Sequence, residues 1–221
     1  MRKITALKLQ RRNKERVNVY LDGEFAFGLA RIVAAWLKVG QELSEEKITE
    51  LLAKDGIEVA YQRALKFISY RPRAEKEVGD NLRKHDVPAE TIELVMERLR
   101  DKNYVNDQQF AALWVDNRNE FRPRGRRALR AELRKKGIQD TTIENTLEDL
   151  DEETLAYRAA TKKARRYREL DYQDFRKKLS GFLARRGFNY GIISNIIPKV
   201  WEETNISQDN ENETESSEVL K

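Results

Sequence analysis

The stretch that decides the fold is Arg122-Pro123-Arg124-Gly125-Arg126-Arg127-Ala128-Leu129-Arg130-Ala131-Glu132-Leu133-Arg134-Lys135-Lys136-Gly137-Ile138. Leu129 and Leu133 stand four apart and so share one helix face, and Gly137 supplies the left-handed backbone that ends such a helix. The same pattern occurs elsewhere in the chain. A shift of 51 residues toward the N-terminus lays Arg122-Pro123-Arg124 on Arg71-Pro72-Arg73. It also lays Leu129, Leu133, Ile138, Ile143, Leu147 and Leu150 on Val78, Leu82, Val87, Ile92, Met96 and Leu99. A shift of 50 in the other direction reaches Leu179, Leu183, Phe188, Ile193, Ile197 and Val200. Every column is apolar in all three copies, with the three- and four-residue spacings that one buried helical stripe requires.

Each copy therefore reads as a first helix, a basic middle helix, a tight turn and a closing helix. First helices are expected near 60–70, 107–121 and 153–170, middle helices from about 74, 125 and 172, and closing helices from about 89, 141 and 190. The tight turn recurs as His85-Asp86-Val87, Lys136-Gly137-Ile138 and Arg186-Gly187-Phe188. Units this small bury little alone, so neighbours are expected to stack into an elongated curved array.

Upstream the period changes. Val17, Val19 and Leu21 alternate with polar residues, Asp22-Gly23 is a two-residue hairpin signal, and Phe25, Phe27 and Leu29 resume the alternation. Residues 4–29 thus predict about three antiparallel strands, covered by a helix over Ile32–Leu37 that carries Trp36 and ends at Gly40. Ser44, followed by Glu45 and Glu46, starts another helix. The expected class is mainly α, three tandem three-helix repeats behind a small β segment. Its parts are an N-terminal extension (1–56), repeats over 57–106, 107–152 and 153–203, and a disordered acidic tail (204–221).

Charge narrows the function. The 221 residues carry a formal net charge of +5, but the stretch from Glu202 holds seven acids against Lys221, a net of −6. The rest is strongly basic, and its bases gather in two runs. One holds Arg118, Arg122, Arg124, Arg126, Arg127, Arg130, Arg134, Lys135 and Lys136. The other holds Arg158, Lys162, Lys163, Arg165, Arg166, Arg168, Arg176, Lys177, Lys178, Arg185 and Arg186. Few acids interleave, and Arg exceeds Lys, which suits phosphate and carboxylate partners. Charge alone does not choose between nucleic acid and an acidic protein surface. An acidic tail beside a basic body could also fold back and compete with the partner.

Phe110, Trp114, Tyr157 and Phe182 sit at helical spacing and are assigned to core packing. Catalytic patterns are missing: His85 is the sole histidine, its repeat equivalents are Lys136 and Arg186, and there is no Cys and no Gly-rich phosphate loop. No enzyme, cofactor or metal is expected. No apolar run reaches the ~18 residues of a spanning helix, so a soluble cytoplasmic monomer is expected.

The string Ala64-Leu65, Arg71-Pro72-Arg73-Ala74-Glu75-Lys76-Glu77, Leu82, Ile92, Val95 and Leu99 resembles the first repeat of the RecX regulatory proteins. Tyr104-Val105-Asn106-Asp107-Gln108-Gln109-Phe110-Ala111 is similar to that family's link to the second repeat, whose signature Arg122–Ile138 also resembles. The resemblance covers about 60–200, and the strand segment is similar to extensions on longer members. It implies a protein that binds the RecA recombinase and its filament on single-stranded DNA, blocking strand exchange and related activities. One expected contact patch is Arg122, Arg124, Arg126, Arg127, Arg130, Arg134 and Lys135; the other is Lys162, Lys163, Arg165, Arg166, Lys177, Arg185 and Arg186. The alternative is a general nucleic-acid-binding repeat protein that acts without RecA, with salt-sensitive affinity for bare DNA.

Overall fold

A computed structural model describes the backbone of residues 1–218 and the side chains of residues 1–204. The chain forms two compact units, Met1–Asn106 and Asp107–Lys221.

The first unit opens with strands β1 (Arg2–Leu9), β2 (Arg16–Leu21) and β3 (Glu24–Ala30). A one-turn helix α1 (Arg31–Ala34) and a short strand β4 (Glu42–Leu43) complete an antiparallel sheet of order β3-β2-β1-β4. The fourth strand is not evident from alternation because it has two residues; it arises where Gly40, at φ +93°, turns the chain back onto β1. Ile4, Val19, Leu21 and Leu29 form the buried face. Their cover comes from Ala34, Ile48 and Leu51, and not from Trp36, whose ring is 87% exposed. The expected Ile32–Leu37 helix stops after one turn, which leaves Trp36 beyond it.

Helix α2 (Glu45–Ile68) starts where expected, with Ser44 Oγ accepting from Lys47 N at 3.2 Å. It then runs straight through the expected boundary at Gly56. A glycine costs an exposed helix only about 1 kcal/mol, too little to end one anchored on both sides. Its first half packs on the sheet, where Asp55 accepts from Arg16 Nη2 at 2.9 Å and from Ala30 N. Its second half supplies Ala60, Tyr61 and Ala64 to the core of the first repeat. That repeat continues with α3 (Glu75–Arg83) and α4 (Ala89–Asp101). Glu58, buried, is held by Arg98 at 2.6 Å, and the same guanidinium lies 3.7 Å from the Tyr61 ring centroid.

The second unit holds the other two repeats: α5 (Asp107–Phe121), α6 (Arg126–Lys136) and α7 (Asp140–Leu147), then α8 (Glu152–Ala164), α9 (Tyr172–Arg185) and α10 (Tyr190–Glu218). Of the eighteen residues in the apolar columns, sixteen are buried, and Val87 and Leu150 are half-buried. The recurring turn is also one shape. Gly137 and Gly187 have φ +88° and +86°, and Asp86 takes φ +57° at the matching place, a conformation that Asp tolerates better than most residues.

Three expectations change in this unit. Helix α8 ends at Ala164, so Arg165, Arg166 and Tyr167 lie in a tightened turn, with Tyr167 N bonded to Ala164 O at 2.7 Å. Tyr157 is not core, since its exposed hydroxyl donates to Glu203 at 2.6 Å, whereas Phe182 is half-buried and packs against the edge of the third repeat's core. The tail read as disordered is helical to Glu218, with no Gly or Pro between Trp201 and Glu218 to break it. The contact expected between tail and basic units lies outside the described residues.

Candidate functional site

The two basic runs have different surroundings. In the first, Arg126 is a structural clamp. Its guanidinium donates to Leu147 O, to Glu148 O at 3.1 Å and to Leu150 O at 2.8 Å, which satisfies the carbonyls at the end of α7. Its backbone N–H donates to Glu152 Oε1 at 3.1 Å, joining α6 to α8. Arg130 pairs with Glu144 through two bonds of 2.7 and 2.8 Å, and Arg134 with Asp140 through bonds of 2.7 and 3.1 Å. These forks hold both carboxyls below the usual carboxylate range and raise both guanidiniums. Glu132 collects Trp114 Nε1 at 2.9 Å, Arg118 Nε at 2.8 Å and Arg124 Nε at 2.8 Å.

Arg127 and Arg186 close the joint between the second and third repeats. Arg127 Nη2 donates to Ala184 O at 2.9 Å, and Arg186 Nη1 donates to Pro123 O at 2.9 Å. Between them Gly125 N donates to Arg186 O at 3.0 Å. The backbones meet so closely that a Cβ on Gly125 would lie 2.3 Å from Gly187 O, and one on Gly187 would lie 2.4 Å from Ala128 N. Only glycine fits either position.

Much of the second run is open. Arg158, Lys162 and Arg166 follow one another at four-residue spacing along α8 and its following turn, a row of like charge that no helix gains from. With Lys163 and Arg186 they line a cavity of about 370 Å³ that also takes in Phe121, Pro123, Ala159 and Phe182, with Glu120 its one acid. Phe182 stacks under two cations, Arg186 Cζ at 4.6 Å and Lys163 Nζ at 5.6 Å from its centroid. Phe121 is 68% exposed at the rim. Burial and the neighbouring Arg124 and Arg122 guanidiniums lower Arg186 below its ordinary value. Converging cations on a partly apolar floor suit an anionic group better than water does. Among the described residues, Arg158, Lys162, Arg165, Arg166, Lys177 and Arg185 make no side-chain ion pair or hydrogen bond. Arg122 and Lys135 are likewise unpaired, though both are exposed and outside this cavity.

Four family models match the chain in succession: the regulatory protein RecX N-terminal domain over 2–44, and the first, second and third three-helix domains of RecX over 60–99, 106–147 and 151–197. The chain belongs to the RecX family. The regulatory protein RecX of Bacillus subtilis strain 168 is 34% identical over 202 residues, 89% of this chain and 76% of that one. That of Bacillus velezensis is also 34% identical, over 96% of this chain and 81% of its own length. A crystal structure of a regulatory protein RecX superposes with a TM-score of 0.75 at 31% identity, covering 89% of this chain and 98% of the other. The RecX from Lactobacillus salivarius gives 0.61 at 31% identity over 66% and 97%.

For this RecX-family chain the structure thus divides the two expected patches. It gathers Lys162, Lys163, Arg166 and Arg186 at one groove and leaves Lys177 and Arg185 on other exposed positions of α9. It engages Arg124, Arg126, Arg127, Arg130 and Arg134 within the fold. Arg158, Phe121 and Phe182 join the groove although the expected patch omitted them. The spacing of Arg158, Lys162 and Arg166 was the readable signal. No group of three His, Cys, Asp or Glu side chains is placed to hold a metal among the described residues, and no helix there is long and apolar enough to cross a membrane.

Proposed function

We propose that this chain is a cytoplasmic, non-catalytic regulator that binds the RecA recombinase and its filament on single-stranded DNA and restrains its activity. The observation that carries this reading is the open groove of the third repeat, where five cations converge on a single lining acid, Glu120. Family membership supplies the candidate partner. Acidic side chains of the filament, or phosphates of the DNA it holds, would complete the groove's charge. The test is RecA's DNA-dependent ATP hydrolysis and strand exchange with this chain added. Both should fall as it is added, and no effect at equal concentrations would overturn the reading. Tight, salt-sensitive binding to bare DNA without any effect on RecA would favour a general nucleic-acid-binding role instead.

A further inference from the structure

The β-sheet of the first unit buries one face and leaves the other without a cover. Its core side chains (Ile4, Val19, Leu21, Leu29) point to the helices, and the opposite face carries Ala6, Lys8, Asn18, Tyr20, Phe25 and Gly28, none of them buried. Tyr20 stands at its centre. It pairs with Ala6 on one side and Phe25 on the other, and the register slips at both places. A β-bulge on each flank of one residue is a device for aiming side chains. Thr5, the extra residue in β1, secures it: its Oγ1 donates to Tyr20 O at 3.2 Å and accepts from Gly23 N at 3.0 Å.

The outcome is an aromatic pair at the surface, one ring half-buried and the other exposed. The Tyr20 and Phe25 rings meet edge to face, with centroids 6.0 Å apart and planes at 77°, and Phe25 is 58% exposed. Lys8 Nζ lies 4.9 Å from the Tyr20 centroid. Ala6 and Gly28 are too small to wall the rings in, and Gln10 Nε2 donates to Asn18 Oδ1 at 2.8 Å on the same face. The hairpin that ends β1 and begins β2 adds Arg11, Arg12 and Lys14, all exposed and without a side-chain partner among the described residues.

We propose that this open face binds single-stranded nucleic acid, with bases stacked on Tyr20 and Phe25 and phosphates on Lys8, Arg11 and Arg12. The charge and the ring geometry favour this occupant over a protein. A docking helix would seek an aliphatic surface, whereas accessible rings on a sheet with cations alongside suit any base and a polyanionic backbone. The proposal rests on the single-stranded DNA part of the function proposed above and adds a site remote from its groove in the sequence.

The test is fluorescence anisotropy of the full chain with labelled oligo(dT) and oligo(rU) of about 20 nucleotides. Tyr20→Ala with Phe25→Ala should weaken binding by about ten- to a hundred-fold, and Tyr20→Phe should retain it. Lys8→Ala should lower the salt slope by about 0.7. Similar loss with both oligomers indicates stacking on either sugar, and loss with one alone identifies the nucleic acid. Photocrosslinking of 5-iodouracil oligomers to the unaltered chain should tag Tyr20 or Phe25, a readout that does not depend on the variants' folding. Unchanged affinity in the double variant with an unchanged melting curve, or crosslinks only in the third repeat, would overturn the proposal. So would binding to a RecA-coated filament with none to the bare oligomers. The groove reading has its own readout in RecA's ATP hydrolysis, so failure of either leaves the other standing.

Discussion

The basic run on α6 and the basic run on α8 have nearly the same composition, yet most of the α6 cations are engaged inside the protein while Arg158, Lys162 and Arg166 of α8 and its following turn are not. On α6, Arg126 caps α7, Arg127 reaches Ala184 O, and Arg130 and Arg134 are forked onto Glu144 and Asp140. On α8 and its following turn, Arg158, Lys162 and Arg166 face a cavity with a single acid. A cation whose hydrogen bonds are met within the chain has little left to offer a partner. Charge density marks candidates, and pairing decides among them.

The largest effect should come from the joint that consumes the α6 cations. Gly187→Ala places a Cβ against Ala128 and forces a left-handed alanine, and should cost about 3 kcal/mol or more of unfolding free energy in urea. A loss below about 1 kcal/mol would show that the two repeats are not locked by this approach. Next comes Arg126→Ala, which releases three carbonyls and should cost about 1–3 kcal/mol without weakening filament binding in any preparation that remains folded. The smallest stability effect belongs to Arg130→Ala with Arg134→Ala, whose forks are exposed and screened. Its signature is pH. Because their arginines lower Glu144 and Asp140, the stability they contribute is present above the ordinary carboxylate values of 4.5 and 3.8 and is lost as pH falls through the lowered ones. The double variant should therefore differ from the parent at pH 7 and converge with it in acid, as followed by thermal unfolding. A difference that persists in acid would assign the effect to packing.

Much of the fold could be read from residue order because the apolar columns are local and periodic. Eighteen positions chosen by spacing alone fall in or beside the cores, and Asp86 could be matched to Gly137 and Gly187 by alignment before its backbone was known. What could not be read depended on tertiary context. Gly56 looks like a boundary, but α2 is held on the sheet by Asp55 and in the first repeat by Tyr61, so it continues. Trp36 looks like a cover because it is large and apolar, but Ile48 and Leu51 already fill that place. The site suffered for the same reason. Asp140 and Glu144, which engage α6, lie beyond the end of its basic run and appear as partners only once α7 folds back. Phe182 has core-like spacing, yet it floors a groove under Lys163 and Arg186.

The proposed function makes the α8 groove, and not the α6 face, the basic surface a partner meets. It is tested most directly by comparing two variants that each remove two charges, Lys162→Ala with Arg166→Ala and Arg130→Ala with Arg134→Ala, in binding to RecA filaments on single-stranded DNA at one salt concentration. The expected result is a loss of about tenfold or more for the α8 pair and less than about threefold for the α6 pair. Equal losses, or a larger loss for the α6 pair, would contradict it.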